Sequence, residues 1–184
     1  YLWEHMECDK VIGVESVKKQ IWNDDKEYLV LVEDLLSNPK IKELSKFVHH
    51  YFTNRLEHSL LVSYRSYLIA KKMGLDYRSV ARAGILHDFY LMTTKEVEGL
   101  GRGSHNNLHP KLALENAKSI TSINHIEEDI ILKHMFGVSL STPPKYKESL
   151  IVSMIDKYVA IEEVFSPVRS LVSYYVIIKV MRFN

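Results

Sequence analysis

The sequence predicts an all-α fold, a helical bundle formed by a single domain over residues 1–184. Apolar residues recur at helical spacing along most of the chain, and no stretch shows the alternation that is typical of a half-buried strand. Residues that interrupt helices are few, with 7 glycines and 5 prolines. The predicted helices cover residues 26–36, 40–49, 54–73, 77–87, 110–118, 126–135, 146–165 and 168–181.

The first four helices have recognisable start and stop signals. Asp24-Asp25 precedes the first helix, which ends near Asn38-Pro39, and the short second helix follows directly. The long third helix stops at Gly74, since glycine is a favourable residue just beyond a helix C-terminus. Asp76 follows and is an N-cap candidate for the fourth helix, because a short carboxylate can accept from the first free backbone N–H groups.

The second half of the chain is divided by glycine and proline. Residues 89–108 contain three glycines and are predicted to form a long loop with one helical turn, and long loops in compact domains are often functional. Pro110 suits the first turn of the next helix. The prolines of Thr142-Pro143-Pro144 mark a loop, and Ser166-Pro167 is predicted to separate the last two helices.

Composition excludes several classes of protein. With 24 basic and 23 acidic residues, the net charge is +1, which supplies no overall field for nucleic acid or an acidic membrane. The most apolar tract, residues 170–178, is shorter than the about 20 residues that a membrane span needs. The single cysteine, Cys8, excludes an internal disulfide, and residues 1–10 do not resemble a signal peptide. We therefore expect a cytoplasmic protein without nucleic-acid or membrane partners.

Polar residues interrupt the apolar pattern at four places. His87-Asp88 follows the apolar stretch 80–86, while His58, His134 and Asp156 each lie within an apolar helical segment. A buried carboxylate is costly unless it is paired or bound to a metal. Imidazole and carboxylate groups together suit a divalent transition metal, and a bundle core can supply them from several helices. The alternatives are histidines that are only hydrogen-bonded, and a lysine or arginine partner for Asp156.

The order of these residues resembles the HD domain superfamily of metal-dependent phosphohydrolases. The matching segments are Arg55-Leu56-Glu57-His58-Ser59, Ile85-Leu86-His87-Asp88 and Ile155-Asp156-Lys157. The resemblance covers about residues 54–165 and is closest to the small stand-alone bacterial members. It implies an HD-domain helical bundle, with accessory helices at the N-terminal and C-terminal ends outside the core.

The resemblance also implies a metal site. The residues His58, His87, Asp88 and Asp156 would bind one divalent ion. A subset of the superfamily has two further histidines for a second ion, which correspond here to His109 and His134, and Asp88 would then bridge both ions. Iron, manganese, nickel, cobalt, zinc and magnesium all remain open as the metal. His105 matches no ligand position and is expected to be a solvated loop residue.

The implied activity is hydrolysis of a phosphate ester by a metal-activated water, with a nucleotide or another small phosphorylated metabolite as the substrate. Asp88 would orient or deprotonate the water, and Arg55, one turn before His58, would neutralise phosphate charge. Further basic residues near the site are Lys133 and Lys157, for which solvation is the simpler interpretation, and Arg102 and Lys111 at the glycine-containing loop.

One departure from the family pattern leaves a second function open. Many nucleotide-hydrolysing members follow the His-Asp pair with a small residue and a lysine, whereas this chain has Phe89-Tyr90-Leu91. The departure argues against assigning to this chain the cyclic-dinucleotide phosphodiesterase activity that some branches of the family have. A non-catalytic regulatory or ligand-binding HD-type domain therefore stays open as the alternative function. The last helix is expected to dock on the core, with a homodimer contact as the second interpretation.

Overall fold

The structure, a computed structural model, describes residues 22–49, 53–139 and 143–181, with side chains as far as Phe165. Nearly all of its regular elements are helices, which confirms the predicted all-α class. The helices are α1 (Lys26–Ser37), α2 (Pro39–Lys42), α3 (Arg55–Lys72), α4 (Tyr77–Leu86), α5 (Thr94–Gly99), α6 (His105–Ile120), α7 (His125–Lys133) and α8 (Lys147–Met181). A 3₁₀ helix (Glu43–Lys46) and the strands β1 (Val48–His49) and β2 (Thr53–Asn54) connect α2 to α3.

Several helix limits follow from the capping residues in the sequence. The Asp25 side chain accepts a hydrogen bond from the backbone N–H of Tyr28 at the start of α1. The Asp76 carboxylate accepts from the backbone N–H of Ser79 at the start of α4. Gly74 follows α3 with a φ of +67°, a conformation that glycine adopts without steric cost. The predicted capping roles of Asp76 and Gly74 are therefore confirmed, and Asp25 of the Asp24-Asp25 pair is the N-cap of α1.

Helices α3 and α4 form the centre of the bundle and approach each other closely. A Cβ atom on Gly84 of α4 would lie only 2.5 Å from the Cα of Ser63 on α3, so glycine is required at this crossing. The Ser63 hydroxyl donates to the Ala81 carbonyl at 2.6 Å and contacts the Tyr28 hydroxyl at 2.8 Å. This contact ties α1, α3 and α4 together around a core that includes the fully buried side chains Tyr67, Ile85, Leu86 and Ile130.

The last helix passes along the bundle, where α3 and α7 both pack against it. Its 35 residues correspond to a length of about 50 Å. Helix α4 also packs against this helix, and residues on α3, α4 and α8 thus meet inside the bundle. Among the residues that the structure describes, none of the helices combines the length and apolar composition that a membrane crossing requires.

Two predicted helix limits at prolines are wrong. Pro110 does not begin a helix, because α6 already starts at His105, and the proline lies in its interior. Ser166-Pro167 does not separate two helices, because α8 continues to Met181. A proline removes one backbone hydrogen bond from a helix. The apolar helical pattern on both sides of Pro167 outweighs this loss. Before Pro110 the sequence has no such pattern, yet the helix already begins five residues earlier.

The predicted helix over 40–49 is also wrong in its second half. The α-helical part ends at Lys42, the 3₁₀ helix follows, and β1 pairs with β2 in antiparallel register, with Val48 opposite Asn54. Strands of two residues are too short to produce an alternating apolar pattern, so the sequence contains no signal for them. The pairing leads the chain directly into α3 and fixes the start of that helix.

Candidate metal centre

Five helices bring six polar side chains together in the interior of the bundle. They are His58 on α3, His87 and Asp88 at the end of α4, His109 on α6, His134 at the end of α7, and Asp156 on α8. All six are buried, with exposed fractions between 0 and 9%. All six are residues that the sequence predicted as metal ligands, and in the structure they form one cluster.

Three of the imidazoles are oriented by backbone carbonyls. The Nδ1 atom of His87 donates to the Gly84 carbonyl at 2.8 Å. The Nδ1 atom of His134 donates to the Ile131 carbonyl at 2.8 Å. The Nδ1 atom of His109 donates to the His105 carbonyl at 2.9 Å. His87 and His134 follow the last residues of their helices, where carbonyls are left without intrahelical partners. A carbonyl can only accept, so each Nδ1 carries a hydrogen, and Nε2 is the ring atom that faces the cluster.

One half of the cluster is formed by His109, His134 and Asp88. The Nε2 atoms of His109 and His134 lie 2.8 Å apart. The Oδ1 atom of Asp88 lies 3.3 Å from the first and 3.5 Å from the second. Three electron-pair donors therefore point at one another, an arrangement that is repulsive unless a proton or a metal ion lies between them.

The other half contains His58, His87 and Asp156 and again includes Asp88. The Oδ1 atom of Asp156 lies 3.0 Å from Nε2 of His58 and 3.6 Å from Nε2 of His87. Oδ2 of Asp88 lies 3.8 Å from the same His87 atom. His87 Nε2 and Asp88 Oδ1 are both buried and have no hydrogen-bond partner among the described residues. Unsatisfied buried donors and acceptors are rare and indicate a missing partner such as an ion.

The charges of the cluster agree with this geometry. Burial would raise the pKa of Asp88, but the neighbouring His87, His109 and His134 hold it well below its ordinary value. The imidazoles of His58 and His87 likewise hold the pKa of the buried Asp156 well below the usual range. Burial lowers the pKa of His134. Burial would lower the pKa of His58, but its bonds to Asp156 and Glu163 raise it to about 10, and the charges of Asp88 and Asp156 likewise raise the pKa of His87. The two carboxylates thus favour positive charge inside the cluster, and carboxylate and imidazole groups together are the donor set that divalent transition metals bind.

These donors fall into two groups that share one residue. The ligand atoms of His58, His87 and Asp88 lie close enough together to hold one ion, and so do those of Asp88, His109 and His134. Asp156 adds a carboxylate to the first group through its contacts with both of the histidines there. Asp88 is therefore placed where one carboxylate could contact both ions.

Arg55 lies beside the cluster but is not part of it. Its guanidinium donates to the carbonyls of Tyr90 and Met92, and its centre lies 3.6 Å from the centroid of the Tyr90 ring. The Tyr90 ring in turn packs against His109. Arg55 thus holds the chain segment that follows the His-Asp pair, and its positive charge remains close to the site.

His105 is not the solvated loop residue that the sequence suggested. It is the first residue of α6, and its ring stacks on that of His109 with centroids 4.6 Å apart. Its Nε2 atom lies 3.0 Å from the Tyr90 hydroxyl. The missed start of α6 explains the error, because a helix from 105 places His105 and His109 on one face.

Two residues of α8 have roles that the sequence analysis missed. Lys157 is not solvated, since its ammonium group donates to the carbonyl of His134 at 2.7 Å. Glu163 is buried and bonds to Nδ1 of His58 at 3.1 Å. The spacing of seven residues from Asp156 is the signal that could have identified Glu163, because residues seven apart share a helix face.

The part of the chain that contains the cluster also matches known proteins. The HD domain family model matches residues 55–161. Among curated relatives, Ribonuclease Y of Protochlamydia amoebophila is 46% identical over 54 residues, which are 29% of this chain and 10% of that protein. Ribonuclease Y of Clostridium kluyveri is 28% identical over 155 residues, 74% of this chain and 29% of that protein. This chain therefore spans less than a third of either relative. No solved structure matches.

Proposed function

The chain belongs to the HD domain family, and we propose that it is a metal-dependent phosphohydrolase acting on the phosphate ester of a nucleotide or another small phosphorylated metabolite. The observation that carries the proposal is the meeting of His109 Nε2, His134 Nε2 and Asp88 Oδ1, with the two nitrogens 2.8 Å apart. Backbone carbonyls accept the Nδ1 hydrogens of both rings. The two Nε2 atoms and the Asp88 Oδ1 atom therefore favour a cation between them.

We assign the ligands in two sets. His58, His87, Asp88 and Asp156 would hold one divalent ion, and Asp88, His109 and His134 would hold a second. The unpartnered buried atoms His87 Nε2 and Asp88 Oδ1 fit this assignment. A divalent ion bound there would supply a water of lowered pKa and charge stabilisation for the phosphate oxygens.

The residues of the chain then have distinct tasks. Asp88 orients the attacking water, since the low pKa of its carboxyl favours accepting a hydrogen bond over retaining a proton. Arg55 offsets the negative charge of the phosphate and keeps the segment after Asp88 in place through its bonds to the Tyr90 and Met92 carbonyls. Burial of the cluster strengthens each of these electrostatic interactions, because the surroundings are less polar than water.

A second candidate substrate is RNA. The matching relatives carry the name Ribonuclease Y, and a phosphodiester of RNA requires the same chemistry as a small phosphate ester. The near-balanced net charge of +1 gives no overall attraction for a polyanion. For this reason we place the small substrate first and include short RNA in the test.

Metal content and hydrolysis, measured on the same preparations, test the proposal. Three proteins are analysed for metal: the wild-type chain, Asp88→Ala and the control Asp24→Ala. The control removes an exposed carboxylate that is distant in sequence from Asp88. They are then screened with manganese, nickel or iron against nucleotides, generic phosphodiesters and short RNA. We expect metal and hydrolysis in the wild type and the control, and neither in Asp88→Ala. Full metal content in Asp88→Ala would refute the site assignment, and bound metal without any hydrolysis would favour the regulatory alternative.

A further inference from the structure

Glu163 lies two turns after Asp156 on α8 and contacts the same histidine. Its exposed fraction is 2%, and its Oε2 atom lies 3.1 Å from Nδ1 of His58. The Oδ1 atom of Asp156 lies 3.0 Å from Nε2 on the other side of the ring. One helix thus supplies a carboxylate to each nitrogen of the His58 imidazole.

His58 differs in this respect from the other three histidines of the cluster. His87, His109 and His134 all donate from Nδ1 to backbone carbonyls. His58 lies in the first turn of α3, where a helix leaves N–H groups rather than carbonyls without partners. Its Nδ1 atom bonds to Glu163 of α8 and not to a backbone carbonyl of its own helix.

We infer that Glu163 is a positioning residue that fixes the tautomer and the orientation of His58, so that Nε2 presents its lone pair to the metal. The inference rests on the metal site proposed above. A carboxylate that accepts from the far nitrogen of a ligating histidine holds the ring in place and strengthens it as a donor. The HD domain match ends at residue 161, so Glu163 lies just outside the segment that the family comparison covers.

The neighbouring Glu162 provides a matched control. Its carboxylate pairs with Arg65 on α3 and is partly exposed, with a side-chain exposed fraction of 27%. Glu162→Gln and Glu163→Gln remove the same charge one residue apart, and both keep the size of the side chain. A difference between the two variants therefore reports the contact with His58 rather than the net charge of α8.

Calorimetric titration of the metal-free full chain with Mn²⁺ tests the inference. We expect Glu163→Gln to weaken Mn²⁺ binding by about 10-fold to 100-fold, while Glu162→Gln binds within about twofold of the wild type. Wild-type affinity in a folded Glu163→Gln variant would overturn the inference and leave the proposed function intact. A wild-type chain that binds no divalent ion would overturn both, so the two failures are distinguishable.

A second measurement does not depend on the variant folding. Long-range ¹⁵N–¹H spectra of the Zn²⁺-loaded wild-type chain report which imidazole nitrogen carries the hydrogen and which one binds metal. We expect the hydrogen of His58 on Nδ1 and the metal on Nε2. Metal on Nδ1, or a hydrogen on Nε2, would show that Glu163 does not set the tautomer and would overturn the inference.

Discussion

At the scale of single residues, the pairing of His109 and His134 is the strongest constraint on what the cluster holds. Each ring is fixed by a backbone carbonyl, and their Nε2 atoms still lie 2.8 Å apart. Two neutral rings in this position repel each other, and the ionised Asp88 nearby cannot donate a hydrogen to relieve the repulsion. A proton or a metal ion between them relieves the repulsion, and a metal ion can contact all three donor atoms at once.

Substitutions in the cluster should remove metal in a graded way. His109→Ala affects one ligand set and Asp156→Ala the other, so each variant should retain about one ion where the wild type holds two. Asp88→Ala should retain neither, because Asp88 belongs to both sets. Elemental analysis after gel filtration measures the ratio of metal to protein. Two ions retained by His109→Ala would show that the second set is assigned incorrectly.

The ion pair between Arg82 and Asp34 supplies a prediction for pH. Hydrogen bonds from Arg82 hold the pKa of the Asp34 carboxyl below its ordinary value. A carboxyl whose pKa is lowered by folding stabilises the native state above its unfolded pKa. That stabilisation is lost as the pH falls through the lowered value. Asp34→Asn should therefore cost about 0.5–1 kcal/mol at pH 7 and progressively less below pH about 4.

Urea unfolding of four chains, the wild type, Asp34→Asn, Arg82→Gln and the double variant, measures this effect. The coupling free energy between the two positions should be present at pH 7 and fall toward zero in acid. A coupling that stays constant with pH would mean that the Asp34 charge is not the source of the stabilisation.

At the scale of helices, the crossing of α3 and α4 positions the cluster, because His58 lies on one helix and His87 directly follows the other. The crossing depends on Gly84, where an added Cβ would meet the Ser63 backbone at 2.5 Å. Packing, rather than helix propensity, therefore decides the residue at this position.

Gly84→Ala should destabilise the protein, although alanine is the better helix former. We expect a loss of about 1–3 kcal/mol from the steric conflict. Gly99→Ala is the control, since a Cβ there meets nothing within 4 Å, and it should be neutral or stabilising by up to about 1 kcal/mol. Chemical unfolding at pH 7 gives both values. Equal stabilisation by the two substitutions would contradict the close crossing.

The sequence predicted most of the helices because apolar periodicity and capping residues are local signals. It failed where the outcome depended on non-local packing. The prolines at 110 and 167 suggested boundaries, yet α6 and α8 continue through them. For the site, order and resemblance selected the six cluster residues. Glu163 was missed because a Glu162-Glu163 pair does not by itself reveal which side chain faces inward.

At the scale of the whole molecule, the cluster joins five helices that are distant in the chain. A ligand that binds these residues only in the folded state stabilises the fold as a whole. Metal binding to these buried side chains should therefore raise the stability of the folded chain.

Thermal unfolding with and without metal tests this coupling. At a free metal concentration 100 times the dissociation constant, each bound ion is expected to stabilise the chain by about 2.7 kcal/mol, which is a rise in melting temperature of about 5–10 °C per ion for a chain of this size. A chelator should reverse the rise, and Asp88→Ala should not show it. An equal rise in Asp88→Ala would mean that the metal binds elsewhere.

The most direct test of the two-metal site is an anomalous difference map from a crystal of the wild-type chain grown with Mn²⁺. The account predicts two peaks that share Asp88 as a ligand, one beside His58, His87 and Asp156 and the other beside His109 and His134. A map without peaks at these residues, with the Mn²⁺ bound at another place on the chain, would contradict it.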